Sequence, residues 1–235
     1  MPVSRQKIPG FTNTQLKVIG MIAMVIDHGA VALVAPMVTE AGSAWYVCYW
    51  VMRSIGRVAF PLFAFLLAEG AYHTGNTWKY LGRLCLFAVI SEIPFDLVVG
   101  NTVFYPQAQN VFVTLALALA ALMGIKSSAG RPLVQVLVGV GGCLAAEILK
   151  SDYGMLGVLL VLIYWTFREQ KSYRRMGELV VFFFLMPGFW GLSYLLVLPL
   201  TEGYNGQRGT RLGFWAYGFY PVHLMILKMI QYLVF

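Results

Sequence analysis

The stretch LKVIGMIAMVIDHGAVALVA, residues 16–35, decides how the rest of the chain is read. It is an apolar run long enough to cross a bilayer, yet it carries Lys17, Asp27 and His28. Lys17 and His28 are eleven positions apart. At about 100° per residue that spacing returns to nearly the same helical face, with a rise of roughly 16 Å. A cation near one membrane surface and an imidazole near the midplane therefore share one stripe. Asp27 points about 100° away from His28, so the two do not form a self-contained dyad and Asp27 must face another helix. An ionisable group inside a span marks a functional site by default.

Composition supports the same class. Of 235 residues, 59% are hydrophobic and only 11% charged, with a mean hydropathy of +0.72. A soluble domain carries about 25% charged residues, so this chain lacks the polar surface that water demands. Long continuous apolar runs, without ten-residue alternation, exclude a membrane barrel. The expected fold is all-α: one polytopic transmembrane bundle, residues 1–235, of about nine spans. These fall near residues 15–36, 45–70, 78–99, 110–125, 132–149, 153–167, 176–189, 190–200 and 212–235. Pro187-Gly188 separates the short seventh and eighth spans, and Gly218 to Pro221 should break the last.

The net charge of +7 points to orientation rather than to nucleic acid. Thirteen of the seventeen Lys and Arg fall at alternate ends of the spans: Arg5, Lys7, Lys17, Lys79, Arg83, Lys126, Arg131, Arg168, Lys171, Arg174, Arg175, Arg208 and Arg211. The opposite loops hold only Lys150, and Arg53, Arg57 and Lys228 lie within spans. This places the N-terminus in the cytoplasm and the C-terminus outside, in the cytoplasmic membrane of the cell. The first fifteen residues contain no apolar core followed by a cleavage site, so the first span is expected to be retained. Cys48, Cys85 and Cys143 form no metal or redox spacing, and neither a disulfide nor a bound metal is expected.

Several further polar residues are candidates for chemistry. Arg53 and Arg57 stand one turn apart in the second span, with Pro61 expected to kink the helix beyond them. Arg57 is the deeper and suits an acidic partner or an anionic ligand group. Glu92 and Asp96 flank Pro94 in the third span and serve either as ion-pair partners of Arg53, Arg57 or Lys228, or directly as site residues. Lys17, Lys79, Arg83 and Arg211 gather as a basic cytoplasmic mouth able to take phosphate. Asp152 and Tyr153 open the sixth span, where Asp152 suits a helix cap. His223 follows Pro221 in the last span as a packing or supporting residue, and His73 lies in an exposed turn.

The ordered motifs LKVIGMIAMVIDHG (16–29), GRVAFPLFAFLLAEG (56–70), HTGNTWKYLGRLCLFAVISEIPFDL (73–97), QNVFVTLALAL (109–119), SDYGMLGVLLVLIYW (151–165), NGQRG (205–209) and FYPVHL (219–224) cover most of the chain. Together they resemble the TraX family, membrane proteins associated with N-terminal acetylation of conjugative pilin. More remotely the chain is similar to transmembrane acyltransferases. Those carry a basic residue, ten intervening positions and a histidine in an early span, the spacing of Lys17 and His28. Lysine stands here for the commoner arginine and lacks its bidentate fork.

The resemblance implies an acetyltransferase that takes acetyl-CoA as donor. The phosphates would meet Lys17, Lys79, Arg83 and Arg211 while the thioester reaches His28 as general base, with Arg57 and Asp27 in support. The acceptor would be a peptide amine, an amino sugar or another small molecule, in contact with membrane lipid. Two other readings suit the same residues: a proton-coupled transporter, and a non-catalytic membrane component of a conjugation or secretion assembly.

The charge sorting makes a direct prediction about topology. A cysteine placed at position 150 should react in intact cells with a membrane-impermeant maleimide. One at position 171 should react only after the membrane is opened. The reverse pattern overturns the orientation.

Overall fold

A computed structural model describes residues 9–185 and 193–235. Arg5, Lys7 and the Pro187-Gly188 break lie outside the described residues. Ten α-helices follow in order: α1 Asn13–Gly29, α2 Ala44–Gly56, α3 Ala59–His73, α4 Thr77–Val99, α5 Val111–Ser127, α6 Pro132–Ile148, α7 Gly154–Thr166, α8 Lys171–Leu185, α9 Ser193–Glu202 and α10 Trp215–Val234. Among the described residues there are only isolated β-bridges and no strands, so the fold is all-α.

Local sequence chemistry sets the helix starts. Thr12 and Gln15 form a reciprocal capping box on α1: the Gln15 amide donates to Thr12 Oγ1 (3.3 Å) and the Thr12 amide to Gln15 Oε1 (2.8 Å). Ser43, Asn76 and Asn110 cap α2, α4 and α5 by accepting from backbone amides of their first turns. Pro132 opens α6, where a missing N–H is harmless. After Gly29 the first helix loosens into a π-turn, Ala30–Val34, and closes in a 3₁₀ turn, Ala35–Met37, that contains Pro36. Such widened turns often accompany functional sites, and this one follows His28 directly.

Two expectations about continuity change. The second span is not one kinked helix, because α2 ends at Gly56 and α3 begins at Ala59. Pro61 still explains the interruption: its ring excludes a helical carbonyl four residues earlier, and that residue is Arg57. The last span, expected to break near Gly218 to Pro221, is a single helix with Pro221 inside it.

By length and composition, two stretches are long and apolar enough to cross a membrane: Asn13–Met37, with 25 residues, and Ala44–His73, with 30. The shorter apolar helices are α5, α6 and α7. Helix α3 is central, buried along most of its length from Ala59 to Ala71, and packs against α1, α5, α7 and α9. Helix α10 lies on α4 and α1. Outward faces stay apolar, as at Val89 on α4, Leu133 and Val136 on α6, and Leu233 on α10. Apolar patches of this extent mark a surface that meets another apolar phase.

The two ends of the bundle are tied differently. At one end the chain around Phe11 pairs with the segment after α9: the Phe11 amide donates to the Gly203 carbonyl (2.7 Å), and the Asn205 amide to Phe11 (3.0 Å). Ion pairs hold the same end, with Arg168 on Glu69 (2.7 Å) and both Arg174 (2.6 Å) and Arg175 (2.7 Å) on Glu202. The opposite end is joined by a backbone bridge between Gln109 and Ser151.

Burial alone would raise the Glu202 carboxyl, but hydrogen bonds from Arg175 and Arg174 outweigh it and hold its pKa below the ordinary 4.5. A carboxylate depressed on folding stabilises the fold above its unfolded pKa and loses that contribution as pH falls through the folded value. Acidification from about pH 5 to pH 3 should therefore lower the melting temperature of the wild type more than that of Glu202→Gln, corresponding to a stability loss of at most about 1 kcal/mol. Parallel acid profiles for the two proteins would remove Glu202 from the balance.

Candidate active site

The deepest charges are organised by one carboxylate. Asp27 accepts from Arg53 Nη1 at 2.6 Å and from Arg57 through Nη2 at 2.6 Å and Nε at 3.3 Å. All three side chains are mostly withdrawn from the surface. Buried guanidinium groups require a partner of opposite charge with good geometry, and the two-point contact of Arg57 supplies it. Gly56 makes the approach possible, because a Cβ there would overlap the Cβ and backbone of Asp27. The Arg57 guanidinium also lies over the Tyr153 ring, 5.3 Å from its centroid.

With Asp27 turned toward α2, its neighbour His28 is turned toward α10. His28 Nδ1 lies 2.7 Å from His223 Nε2, and both residues are buried. His223 Nδ1 lies 2.9 Å from the Phe219 carbonyl. Tyr220 sits edge-on to both rings, with centroids 5.7 Å from His28 and 5.6 Å from His223. Sequence reasoning placed His223 in a supporting role without linking it to His28. The residues are 195 positions apart, and no local pattern joins them.

His28 and Asp27 line a small chamber of about 20 Å³ with Asp152, Tyr153, Tyr220, Gly56 and Ala59. Met24, Phe63, Val111 and Tyr220 are shared between this chamber and an apolar corridor of about 80 Å³. The corridor runs past Met21, Leu84 and Leu115 and shares Lys17, Leu66, Tyr80 and Tyr217 with a wide mouth of about 500 Å³. Lys17, Arg83 and Arg208 line that mouth, and a side lobe of about 350 Å³ adds Arg211. A basic vestibule, an apolar neck and a polar chamber with an imidazole therefore form one series.

The mouth is built from chain segments distant in sequence. Thr14 of α1 holds the glycine-rich loop after α9: its amide donates to the Arg208 carbonyl (3.2 Å), and its hydroxyl donates to Arg208 (2.9 Å) and Thr210 (2.5 Å). Gly209, at φ +69°, lies so close to Thr12 and Thr14 that the turn needs glycine. The first amides of α1 are occupied by Thr12 and by the Gln207 and Arg208 carbonyls, so an anion here must be held by side chains. Arg83 lies over Tyr80 and Tyr217, 5.6 and 5.9 Å from their centroids. Tyr204 keeps its hydroxyl proton, since burial and the nearby Glu69 raise its pKa.

Other candidates go elsewhere. Lys79 does not line the mouth; its amide donates to the cap Asn76, and Arg208 takes the place that sequence reasoning gave to Lys79. Glu92 meets Asn110 rather than an arginine, receiving both its backbone amide and its side-chain amide. Asp96 accepts from the Tyr105 amide at 2.9 Å. Lys228 is bound to Asn101 (2.5 Å) and Gln231 (2.8 Å) at the opposite end. Asp152 does not cap α7 with its side chain, although its amide donates to Gln109 (2.9 Å). His73 is exposed and lies 3.5 Å from Glu69. Among the described residues no cluster of His, Cys, Asp or Glu is arranged to hold a metal.

These features define an all-α protein with a basic cavity, an apolar one and a small chamber at His28, each sharing lining residues with the next. The chain belongs to the TraX protein family, whose model matches residues 12–231. It is similar to the probable fimbrial assembly protein FimC, serogroup H1, of Dichelobacter nodosus. The two are 35% identical over 241 aligned positions, which cover 92% of this chain and 94% of that protein. No solved structure matches the chain.

The shared carboxylate makes an ordered stability prediction. Asp27→Asn strands two buried cations and should cost about 3–5 kcal/mol. Arg53→Gln leaves the Arg57–Asp27 pair balanced and should cost less. Thermal unfolding in detergent measures both, and a larger loss for Arg53→Gln would contradict the assignment.

Proposed function

We propose that the protein is a membrane-embedded acetyltransferase that moves an acetyl group from acetyl-CoA to an amine. The acceptor we favour is the N-terminus of a pilin-like peptide. The observation that carries this reading is the series from Lys17, Arg83 and Arg208 through the apolar neck to His28. A polyanionic nucleotide on a long, uncharged thioester arm has a similar order of chemistry along its length. The side lobe at Arg211 would add a further cation for phosphate.

In this reading the bundle spans the cytoplasmic membrane about nine times, with the N-terminus and the basic mouth inside. Acetyl-CoA would then enter from the compartment that makes it. The small chamber fits an acetyl group better than a long acyl chain. The acceptor nitrogen attacks the thioester carbonyl carbon and forms the C–N bond. The His28 imidazole takes the proton from that nitrogen; the C–S bond breaks, and the imidazolium returns the proton to the CoA sulfur. Arg53 and Arg57, anchored on Asp27, set guanidinium groups close to the chamber that Asp152 also lines, and a guanidinium there would favour the oxyanion as it develops.

The relative's description as a fimbrial assembly protein supports a pilus-related acceptor, and it also favours a second reading. In that reading the protein is a non-catalytic membrane component of a pilus or conjugation assembly. Purified protein in lipid nanodiscs, given radiolabelled acetyl-CoA and a pilin-like peptide, separates the two. The enzyme reading expects labelled peptide and stoichiometric free CoA, with His28→Ala reducing turnover by about 10²–10⁴-fold. Wild-type turnover in His28→Ala removes the histidine from the mechanism. Intact assembly in cells carrying both His28→Ala and Arg57→Gln favours the non-catalytic role.

A further inference from the structure

The histidine pair determines which nitrogen of His28 can act. A carbonyl oxygen only accepts, so the 2.9 Å contact with Phe219 puts a proton on His223 Nδ1. In the neutral ring His223 Nε2 is then an acceptor. The 2.7 Å contact between that atom and His28 Nδ1 requires one proton between them, and His28 must provide it. The chain of donors runs from His28 Nδ1–H to His223 Nε2, and from His223 Nδ1–H to the Phe219 carbonyl. His28 Nε2 is left bare. The reverse assignment would protonate both His223 nitrogens and make it a buried cation, a costly state at this depth.

We propose, on the acyl-transfer reading above, that His223 is a positioning residue. It locks His28 in the Nδ1–H tautomer and thereby presents Nε2 to the acceptor amine. The orienting partner of a catalytic histidine is often a carboxylate, which also stabilises the imidazolium. Here the carboxylate next to it in sequence, Asp27, is occupied by two arginines, and a second histidine takes the orienting task. Phe219 stacks on the His223 ring, with centroids 5.0 Å apart, and Tyr220 closes its edge. The relay is thus held within one helix before it meets His28. When His28 Nε2 accepts the amine proton, both ring nitrogens of His28 become donors, and the bond to His223 Nε2 persists without rearrangement. Nothing else in the relay moves as the proton arrives and departs.

The test uses the full chain in nanodiscs with two variants and a spectroscopic readout. His223→Gln offers an amide oxygen near the position of the lost Nε2 and should retain turnover within about threefold. His223→Leu offers no acceptor and should lower kcat by roughly 10- to 100-fold, leaving KM for acetyl-CoA unchanged, since His223 lies away from the mouth. Nitrogen-15 spectra of histidine-labelled wild type should show Nδ1–H and bare Nε2 for His28 and His223, with exposed His73 as the reference. In His223→Leu the His28 signal should lose that tautomer.

A His223→Leu protein with wild-type kcat overturns the proposal while leaving the acetyltransferase reading in place, and so does a wild-type spectrum showing His28 protonated at Nε2. Absence of acetyl transfer by the wild type overturns the functional reading on its own. The spectrum then still decides the relay, and it does so even where His223→Leu fails to fold.

Discussion

The contact on which the site depends is the sharing of Asp27 between Arg53 and Arg57. A lone carboxylate or a lone guanidinium at this depth would be strongly destabilising, so each group holds the others in place. The contact also fixes the rotation of α1 about its own axis. Adjacent helical residues diverge by about 100°, so anchoring Asp27 on α2 aims His28 at α10 and leaves no other direction for it. Gly56 lets α1 and α2 come close enough, and the interruption at Arg57, imposed by Pro61, frees that end of α2 to meet the carboxylate. Three local features of sequence converge on one carboxylate, and the orientation of the histidine follows.

The same anchor explains why the passage is polar at both ends and apolar between. Charges at the mouth face a wide cavity, and among the described residues Lys17, Arg83 and Arg208 form no ion pair, which leaves them available to an anion. Charges at the chamber end have no such opening and are paired internally with Asp27. The neck between them is lined by Met21, Met24, Phe63 and Leu84, which offer no hydrogen bonds to a charged group. On the acetyl-transfer proposal, the molecule that fills the passage is anionic at one end, uncharged along its middle and reactive at its tip.

Much of this geometry was legible in the residues. The eleven-residue separation of Lys17 and His28 put them on one face, and they occupy the two ends of one passage. Asp27, adjacent to His28, could not pair with it and had to meet another helix. The all-α class followed from the length and continuity of the apolar runs. What stayed hidden was long-range. Nothing near His223 signals a partner at His28, and the glycine-rich loop that brings Arg208 over α1 depends on bonds from the Thr14 amide and hydroxyl to a carbonyl 194 positions away, which no local pattern encodes. Charge type was a poor guide for Glu92 and Asp96, whose hydrogen bonds come from Asn110 and a backbone amide rather than from arginine. A carboxylate in an apolar run requires hydrogen bonds, and a full countercharge is only one way to supply them.

This distinction bears on how the site can work. A site built on a carboxylate–histidine pair would place a negative charge behind the imidazole and stabilise its protonated form. This one places a second histidine behind it, while Asp27 is taken up by two guanidinium groups. On the acetyl-transfer proposal, an imidazolium without a carboxylate behind it returns its proton promptly to the departing sulfur. The guanidinium groups would then favour the negative charge that develops on the acyl oxygen. Thioesters are activated acyl donors whose leaving group needs little protonic assistance, so a base that binds the proton only briefly suffices.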